Sequence, residues 1–219
     1  NKDINLMSNN SQIIINRPFG PTVAKMTMPP ELVEKLNNYI DDLIKDENKT
    51  KELDHGAKLA GNVKQEFLLE SKFVETSGFL KFLGESTRNW IKFSGLTEIK
   101  KFNVIASWVV RQFKNEYNPT HWHGGHVSGV GYLKVPKNLG SLSQDTKKVN
   151  QNGQLELIHG AKMFLCKSTF KIEPKIGDFY FFPNYLMHAV YPFSETDEER
   201  RSVSFNAKID DEVYNVYSD

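Results

Sequence analysis

The 219-residue sequence has one cysteine, almost no net charge and no long apolar run, and each shortage excludes a class of protein. A single thiol, Cys166, cannot form an internal disulfide, which predicts a protein of a reducing compartment such as the cytoplasm. No run approaches the roughly 18 apolar residues of a membrane helix, and no signal-peptide pattern is present. With 28 basic and 27 acidic residues, bulk electrostatics predict neither a duplex nucleic acid nor a membrane as partner.

Two amphipathic helices are predicted in the first hundred residues. After Pro29 and Pro30, the segment ELVEKLNNYIDDLIKD repeats apolar residues at helical spacing, and a helix tolerates proline in its first turn. A second helical region is predicted roughly over residues 71–93, and Gly95 can supply its left-handed stop. The charged stretch 46–62 between the two helices is expected to be a loop.

From Ile99 onward the helical spacing gives way to short β-branched and aromatic runs separated by Gly, Pro and acidic turns. Two helices followed by seven or eight closely spaced strands predict an antiparallel sandwich or barrel with the helices packed on one face. Cys166 lies in one of these runs, FLCKSTF, and is expected to be a packing residue. The chain is long enough for one domain with a full core.

Three of the six histidines lie within six residues of one another, in the segment NPTHWHGGHVSGVGYLKVP. In an extended chain, His121 and His123 project from the same face, as two metal ligands on one strand would. Gly124 and Gly125 permit a tight turn or bulge beside them. A lone histidine is more often a surface or core residue, but imidazole is a common metal ligand, so the cluster predicts a metal site.

Two further features lie downstream. His188 sits among apolar residues in PNYLMHAVYPF, where a histidine often only bonds a backbone carbonyl. In RRSVSFN, Arg201 points to one face of the strand, and the opposite face carries four polar residues: Arg200, Ser202, Ser204 and Asn206. Such a face is either exposed to solvent or lines a pocket in which the guanidinium binds a carboxylate bidentately.

The order of these features resembles the iron(II)- and 2-oxoglutarate-dependent oxygenases. The shared order is a strand with HxH or HxD, a strand with a tyrosine, a GDxxxFP strand leading to a distal histidine, and an arginine about a dozen residues later. The nearer resemblance is to oxygenases of this kind that are common in phages and marine bacteria, in which motifs like YNPxHxHxGxxS and FPxxxxHxVxPF recur. The resemblance covers roughly Trp108 to Asn206.

The resemblance implies a mostly β fold with N-terminal helices (α+β), whose core is a double-stranded β-helix. In this jelly-roll barrel the mouth holds the metal. Residues 99–219 would form the jelly-roll core, and residues 1–98 would be a helical N-terminal support region of the same single domain.

The resemblance also assigns roles to individual residues. His121 and His188 would bind iron(II), and Arg200 would pair with the distal carboxylate of the cosubstrate 2-oxoglutarate. Tyr132, on a strand face with Ser128 and Val130, looks like the tyrosine that supports this carboxylate. Two more residues on the face of the arginine would line the pocket: Ser202 and Asn206.

The sequence departs from the general family pattern at one position. Most members have a carboxylate two residues after the first histidine, and here that position is His123. His123 itself can be the second ligand, which gives an all-histidine site. His126 can take its place if the Gly-Gly turn folds inward, or a carboxylate such as Glu116 or Asp178 can complete the site.

The implied function is hydroxylation of a C–H bond, with O2 as oxidant and 2-oxoglutarate converted to succinate. A peptide and a small metabolite are both compatible as the prime substrate. Two other classes stay open: a zinc-binding jelly roll without oxidative chemistry, and a non-catalytic binding or virion jelly roll with incidental histidines. The expected location is the cytoplasm, that of the host if a phage encodes the protein.

Overall fold

The computed structural model describes residues 20–95, 98–142, 144 and 146–215, and within them ten strands form two antiparallel sheets. The first 19 residues of the predicted support region lie outside this description. The strands are β1 (Ala24–Thr27), β2 (Gln65–Leu68), β3 (Phe102–Gln112), β4 (Asn118–His121), β5 (Val127–Lys134), β6 (Leu155–Ile158), β7 (Thr169–Ile172), β8 (Asp178–Pro183), β9 (Met187–Val190) and β10 (Arg200–Ile209). The helices are α1 (Pro30–Leu43), α2 (Glu47–Glu52), α3 (Ser71–Thr76), α4 (Phe79–Phe93) and α5 (Asp211–Tyr214), with a 3₁₀ turn at Gly56–Lys58.

The larger sheet has the strand order β1-β8-β5-β10-β3-β2, and the smaller has the order β4-β9-β6-β7. One face of the larger sheet is apolar and packs against α1 and α4 in the main core. Representative members of this core are Leu36, Ile40, Phe79, Leu83, Val109, Phe181, Val203 and Phe205. A second cluster joins the other face to the smaller sheet: Tyr132, Leu155, Leu157, Ile172, Phe182 and Leu186. The predicted arrangement of helices on one face of a β structure is confirmed.

The central strand β5 needs glycine where its neighbours approach most closely. A Cβ atom at Gly129 would lie 2.6 Å from the carbonyl oxygen of Tyr180, and one at Gly131 would lie 2.2 Å from the ring of Phe179. Real Cβ contacts do not reach such distances, so these two positions allow β8 and the aromatic core to close over the strand.

Three local expectations differ from the structure. Stretch 46–62 contains α2 and the 3₁₀ turn. The second helical region divides into α3 and α4, because Gly78 adopts a left-handed φ of 93°. The N-terminal region also contributes β1 and β2 to the edges of the larger sheet, so it is not purely helical.

The expectation that Cys166 packs in a strand is wrong, because the residue is exposed. The run that contains it turns before β7, and Met163 and Cys166 exchange two backbone hydrogen bonds of 3.2 and 3.0 Å. Leu165 takes a left-handed φ of 60° at this turn. Apolar composition alone therefore misassigned an exposed hairpin tip.

In the described part of the chain, none of the helices combines the length and apolar character needed to cross a membrane.

Arg201 ties α1 to the barrel. Its side chain is fully buried on the helix-facing side of β10, opposite to Arg200, as the strand parity predicts. The guanidinium donates to the Asp41 carboxylate at 2.7 Å and to the Glu199 carboxylate at 2.6 Å. It also donates to the Asn37 side-chain oxygen at 3.0 Å. A buried cation with three acceptors is a structural residue and not a ligand anchor.

Replacing Arg201 with Met is expected to lower the free energy of unfolding by about 3 kcal/mol, because it removes one partner of a buried ion-pair network. Urea denaturation followed by circular dichroism measures this. Lys45→Met is the matched control, since its ion pair with Asp42 is exposed and its loss should leave stability unchanged. Equal stability of the two variants would show that Arg201 does not hold α1 on the barrel.

Candidate active site

Strand pairing in the smaller sheet brings the predicted histidines together. His121, the last residue of β4, lies directly opposite His188 of β9. His123 follows two residues later, and its backbone is held by two hydrogen bonds of 3.1 Å with Asn184. One ring nitrogen from each of the three histidines lies within 4.8 Å of the others. Among the described residues, this is the group whose donor atoms could hold a metal ion.

The turn after His123 depends on Gly125. This residue has a φ of 89°, and a Cβ atom there would lie 2.9 Å from the carbonyl oxygen of Ala207. A tight turn at the Gly-Gly pair, as the sequence suggested, therefore returns the chain into β5 without moving the histidines apart.

Hydrogen bonds to backbone carbonyls orient two of the imidazoles. His121 Nδ1 lies 2.7 Å from the Pro119 oxygen, and His188 Nδ1 lies 2.9 Å from the Leu186 oxygen. A carbonyl can only accept, so each Nδ1 carries the proton and leaves the Nε2 lone pair free for a metal. The Nε2 atoms of His188 and His123 are 3.2 Å apart. The Trp108 ring packs edge-on against His123, with 5.4 Å between centroids.

The surroundings keep all three imidazoles neutral. Burial, followed by the proximity of His188 and His121, lowers the pKa of His123 to about 3. Burial and then the field of His121 lower the pKa of His188 to about 4. Burial also lowers the pKa of His121. Neutral imidazole is the metal-binding form, so the cluster is ready to coordinate a cation at neutral pH.

The alternative second ligands lie elsewhere and have other partners. His126 Nδ1 accepts the Ile209 backbone N–H at 3.1 Å, and its ring stacks on Tyr214. The Glu116 carboxylate accepts backbone N–H groups from Lys64 and Phe113.

Asp178 pairs with Lys25 at 2.7 Å, at the start of β8. Within the described residues no carboxylate joins the histidine cluster, so the donor set consists of three imidazoles.

Arg200 is buried in the same cavity as the histidines. Its Nε donates to the Gly153 carbonyl at 3.0 Å, and its guanidinium carbon lies 5.1 Å from the centre of the Tyr132 ring. Among the described residues no carboxylate pairs with this cation. The hydroxyl of Tyr132 is fully buried, and although Arg200 lies beside it, no hydrogen bond of good geometry reaches it within the described part of the chain.

A buried guanidinium without an anion and a buried hydroxyl without a partner are both costly, and a ligand carboxylate would satisfy both. Tyr132 and Arg200 also affect each other's pKa values. Burial raises the pKa of Tyr132 to about 12, although the Arg200 charge acts against this. The hydroxyl therefore stays protonated and can donate to an anion.

Only some of the residues on the polar face of β10 line this cavity. Ser202 and Ser204 line it, beside Val130 and Tyr132 of β5. Asn206 lies farther along the same face, where its side-chain oxygen accepts a hydrogen bond from the Ser128 hydroxyl at 2.7 Å. It is not among the residues that line the cavity.

Two parts of the cavity wall are not among the site residues predicted from the sequence. Asn118, three residues before His121, lines the cavity together with Leu59 and Ala60 from the loop before β2. The polar residue behind Asn118 is Glu66, which is almost fully buried. Asn118 belongs to the histidine motif and could have been found from it. No pattern in the sequence marks a charged residue of KQEFLLE as buried.

Acidification is expected to destabilise the metal-free protein, because the folded state holds these histidines neutral. Their folded pKa values lie below the unfolded value near 6.5, so stability is complete above about pH 6.5 and is lost as the pH falls toward 4. For His188, the loss between about pH 7.5 and pH 5 should be roughly 2 kcal/mol.

Urea denaturation in EDTA at both pH values measures this for the wild type and for His188→Gln. The variant should lose less stability than the wild type, whereas His159→Gln, which removes an exposed histidine, should behave like the wild type. An identical pH dependence for His188→Gln and the wild type would contradict the account of neutral, buried imidazoles.

The sequence of the barrel matches a family of oxygenases. Residues 106–206 match the family described as "Putative 2OG-Fe(II) oxygenase". This segment contains the three histidines, Tyr132 and Arg200. No curated protein matches the chain.

Solved structures of similar architecture are also 2-oxoglutarate oxygenases. The viral collagen prolyl hydroxylase of Paramecium bursaria Chlorella virus-1 is 18% identical, with a TM-score of 0.53 over 84% of this chain and 94% of that chain. The Pseudomonas putida prolyl-4-hydroxylase is 17% identical, with a TM-score of 0.53 over 85% and 92%. HygX of Streptomyces hygroscopicus, solved with nickel, 2-oxoglutarate and hygromycin B, is 13% identical, with a TM-score of 0.54 over 89% and 85%.

These likenesses confirm the double-stranded β-helix that the sequence predicted. The sequence match adds the family to the fold. Residues 106–206, a little under half of the chain, therefore resemble the 2OG-Fe(II) oxygenases in sequence as well as in fold.

Proposed function

We propose that His121, His123 and His188 hold iron(II) without a carboxylate ligand, and that Arg200 and Tyr132 bind the distal carboxylate of 2-oxoglutarate. The observation that carries this proposal is the unsatisfied pair in the cavity. Arg200 is buried without an anionic partner among the described residues, and Tyr132 is buried without a hydrogen-bond partner among them. A dicarboxylic acid that reaches from the histidines to the arginine would satisfy the metal, the cation and the hydroxyl together.

The donor chemistry suits iron(II). Neutral imidazoles are good ligands for iron, and three of them leave positions open for a bidentate cosubstrate and for O2. When bound, iron(II) supplies the activation of O2, coupled to oxidative decarboxylation of 2-oxoglutarate to succinate and carbon dioxide. The product of a coupled turnover is a hydroxylated prime substrate.

The protein residues orient the metal ligands, bind the cosubstrate and exclude water from the cavity. The carbonyl oxygens of Pro119 and Leu186 hold the tautomers of two imidazoles. Ser202 is buried on the wall of the cavity that contains the histidines and Arg200, and its hydroxyl can bond the cosubstrate. Apolar side chains of Val130, Leu155 and Phe182 keep this part of the cavity dry, which strengthens the pairing of Arg200 with an anion.

The prime substrate is a peptide or a small metabolite with a C–H bond presented at the mouth of the cavity. Trp122, between two of the histidines in the sequence, is 65% exposed and offers an aromatic contact surface to a substrate. To identify the substrate class, a peptide pool and a metabolite pool would be added separately and the rate of succinate formation measured. The pool that raises this rate contains the substrate. A rate that neither pool changes would count against both classes.

Zinc also accepts three histidines, so a redox-silent zinc site is the competing function. Such a site gives no role to a buried arginine without an anion and to a buried tyrosine hydroxyl without a partner. These two residues favour the oxygenase over the zinc protein.

Anaerobic titration of the tag-free protein with iron(II) and 2-oxoglutarate tests the assignment. The wild type should develop the visible charge-transfer band of the iron(II)–2-oxoglutarate chelate. Arg200→Met should weaken 2-oxoglutarate binding by about a hundredfold, because removing one partner of a buried charge pair costs about 2–5 kcal/mol. His123→Ala should abolish the band by removing a metal ligand.

His159→Ala is the matched control, because His159 is exposed and outside the cluster, and its titration should equal that of the wild type. A chelate band that survives in His123→Ala would sink the three-histidine assignment. Zinc binding without any iron(II)–2-oxoglutarate band in the wild type would favour the zinc protein.

A further inference from the structure

Glu66 is a buried carboxyl group that the proposed binding of iron and 2-oxoglutarate does not use. Only 1% of the residue is exposed, and among the described residues its carboxyl oxygens have no hydrogen bond of good geometry and no cation, although the Asn118 amide lies beside them. An uncompensated carboxyl in a protein interior is costly, and such groups are typical of functional sites.

Strand register directs Glu66 toward the cavity side of the larger sheet. Glu66 of β2 lies opposite Val110 of β3, which in turn lies opposite Ser202 of β10. Ser202 lies opposite Tyr132 of β5. Directly opposite residues project from the same face of a sheet, and the other three members of this row line the cavity. Glu66 therefore stands at the end of a row whose other members surround the cosubstrate position.

Asn118 separates the Glu66 carboxyl from the cavity itself. A Cβ atom built on Gly61 would lie 2.7 Å from Glu66 Oε1 and 3.0 Å from Asn118 Nδ2, so both side chains converge on this glycine. The loop that carries Gly61 is fixed by the Asn62 N–H, which donates to the Tyr117 carbonyl at 2.8 Å. Asn118 and His121 both line the cavity and are three strand residues apart, a separation of about 10 Å.

The charges around Glu66 are acidic. Asp54 and Glu116 face it, and both raise its pKa, after burial, which is the largest cause. Asn118 acts in the opposite direction, and the resulting pKa is about 7. Asp54 accepts the Gly56 backbone N–H and Glu116 accepts two others, so these carboxylates are already engaged. Glu66 has the Asn118 amide beside it, but no cation pairs with its carboxyl group within the described residues.

The charge of the site explains why such a group is useful. In the usual family pattern a ligand carboxylate, the dianion 2-oxoglutarate, the divalent iron and the arginine sum to zero. With three neutral histidines the same components leave one positive charge in a buried cavity. A carboxylate close to the cavity, but outside the ligand sphere, would restore neutrality, and a buried pair of opposite charges is screened little by solvent.

We propose that Glu66 supplies this missing negative charge from behind Asn118, and so stabilises a divalent metal on the three histidines. The inference rests on the proposed metal site, and it predicts that Glu66 ionises when the metal binds. The metal should bind more tightly as the pH rises through the range in which Glu66 loses its proton. The pKa values of His123 and His188, at about 3 and 4, lie below this range, and the pKa of His121 is lowered as well.

The experiment is a titration of the tag-free, metal-free protein with cobalt(II), followed by its visible absorption at about pH 5.5 and pH 7.5. Glu66→Gln keeps the shape of the side chain and removes its charge. The wild type should bind cobalt(II) roughly tenfold more tightly than Glu66→Gln at the higher pH, a ratio that corresponds to one unit of pKa. The ratio should approach one at the lower pH.

Asp54→Asn is the matched control. It removes a neighbouring negative charge that is exposed to solvent, and the amide oxygen can still accept the Gly56 N–H. Its cobalt affinity should stay close to that of the wild type at the higher pH and be no weaker at the lower pH, because loss of the Asp54 charge lowers the pKa of Glu66. An equal loss in Asp54→Asn and Glu66→Gln would overturn a specific role for Glu66.

Proton release gives a second readout. In weakly buffered solution at about pH 6.5, cobalt(II) binding to the wild type should release more protons than binding to Glu66→Gln, by a substantial fraction of one proton. Cobalt binding without proton release, and with equal affinity for both proteins, would overturn the role of Glu66 while leaving the metal site intact. Failure of the wild type to bind cobalt at all would overturn the proposed function instead.

Discussion

The antiparallel pairing of β4 with β9 is the constraint on which the candidate site depends. It sets His121 directly across from His188, and the carbonyls of Pro119 and Leu186 fix which nitrogen of each ring faces inward. His123 joins them because the turn at Gly125 lets the chain leave β4 and enter β5 within a few residues. Burial then keeps each ring neutral. Three lone pairs converge before any metal arrives, so binding requires little reorganisation.

Side chains alternate along β10, so that one face of the strand packs against the helices and the other faces the cavity of the candidate site. Arg201 faces α1 and is neutralised by Asp41 and Glu199, while Arg200 faces the cavity, where the described residues provide no anion for it. Two adjacent residues of one type thus have opposite roles, which only their position in the strand decides. The helices are therefore more than a cover, because α1 fixes the strand that presents Arg200.

Much of this organisation can be predicted from short motifs, because local geometry decides it. Parity along one strand separates Arg200 from Arg201, and the spacing of His121 and His123 places two imidazoles on one side. The jelly roll itself is implied by the family resemblance that the ordered motifs carry.

What the sequence does not reveal depends on contacts between distant segments. Whether His123 or His126 lies beside His121 and His188 depends on the turn between them and on the contacts of His126 with Ile209 and Tyr214. Asn206 has the right parity but lies beyond the cavity wall, since parity fixes a face and not a depth. Cys166 was assigned to the core from composition, although its run folds into an exposed tip. Glu66 lies in the charged segment KQEFLLE, and its burial becomes apparent only from the pairing of β2 with β3.

An all-histidine site raises the question of whether such a centre turns over, and oxygen labelling answers it most directly. The wild type would be incubated with iron(II), 2-oxoglutarate, ascorbate as reductant and ¹⁸O2, and the succinate analysed by mass spectrometry. We predict that one labelled oxygen atom enters each succinate molecule, and that neither Arg200→Met nor His123→Ala forms labelled succinate above background. Binding of iron(II) and 2-oxoglutarate by the wild type without any labelled succinate would contradict the account, because the cavity would then bind the cosubstrate without oxidising it.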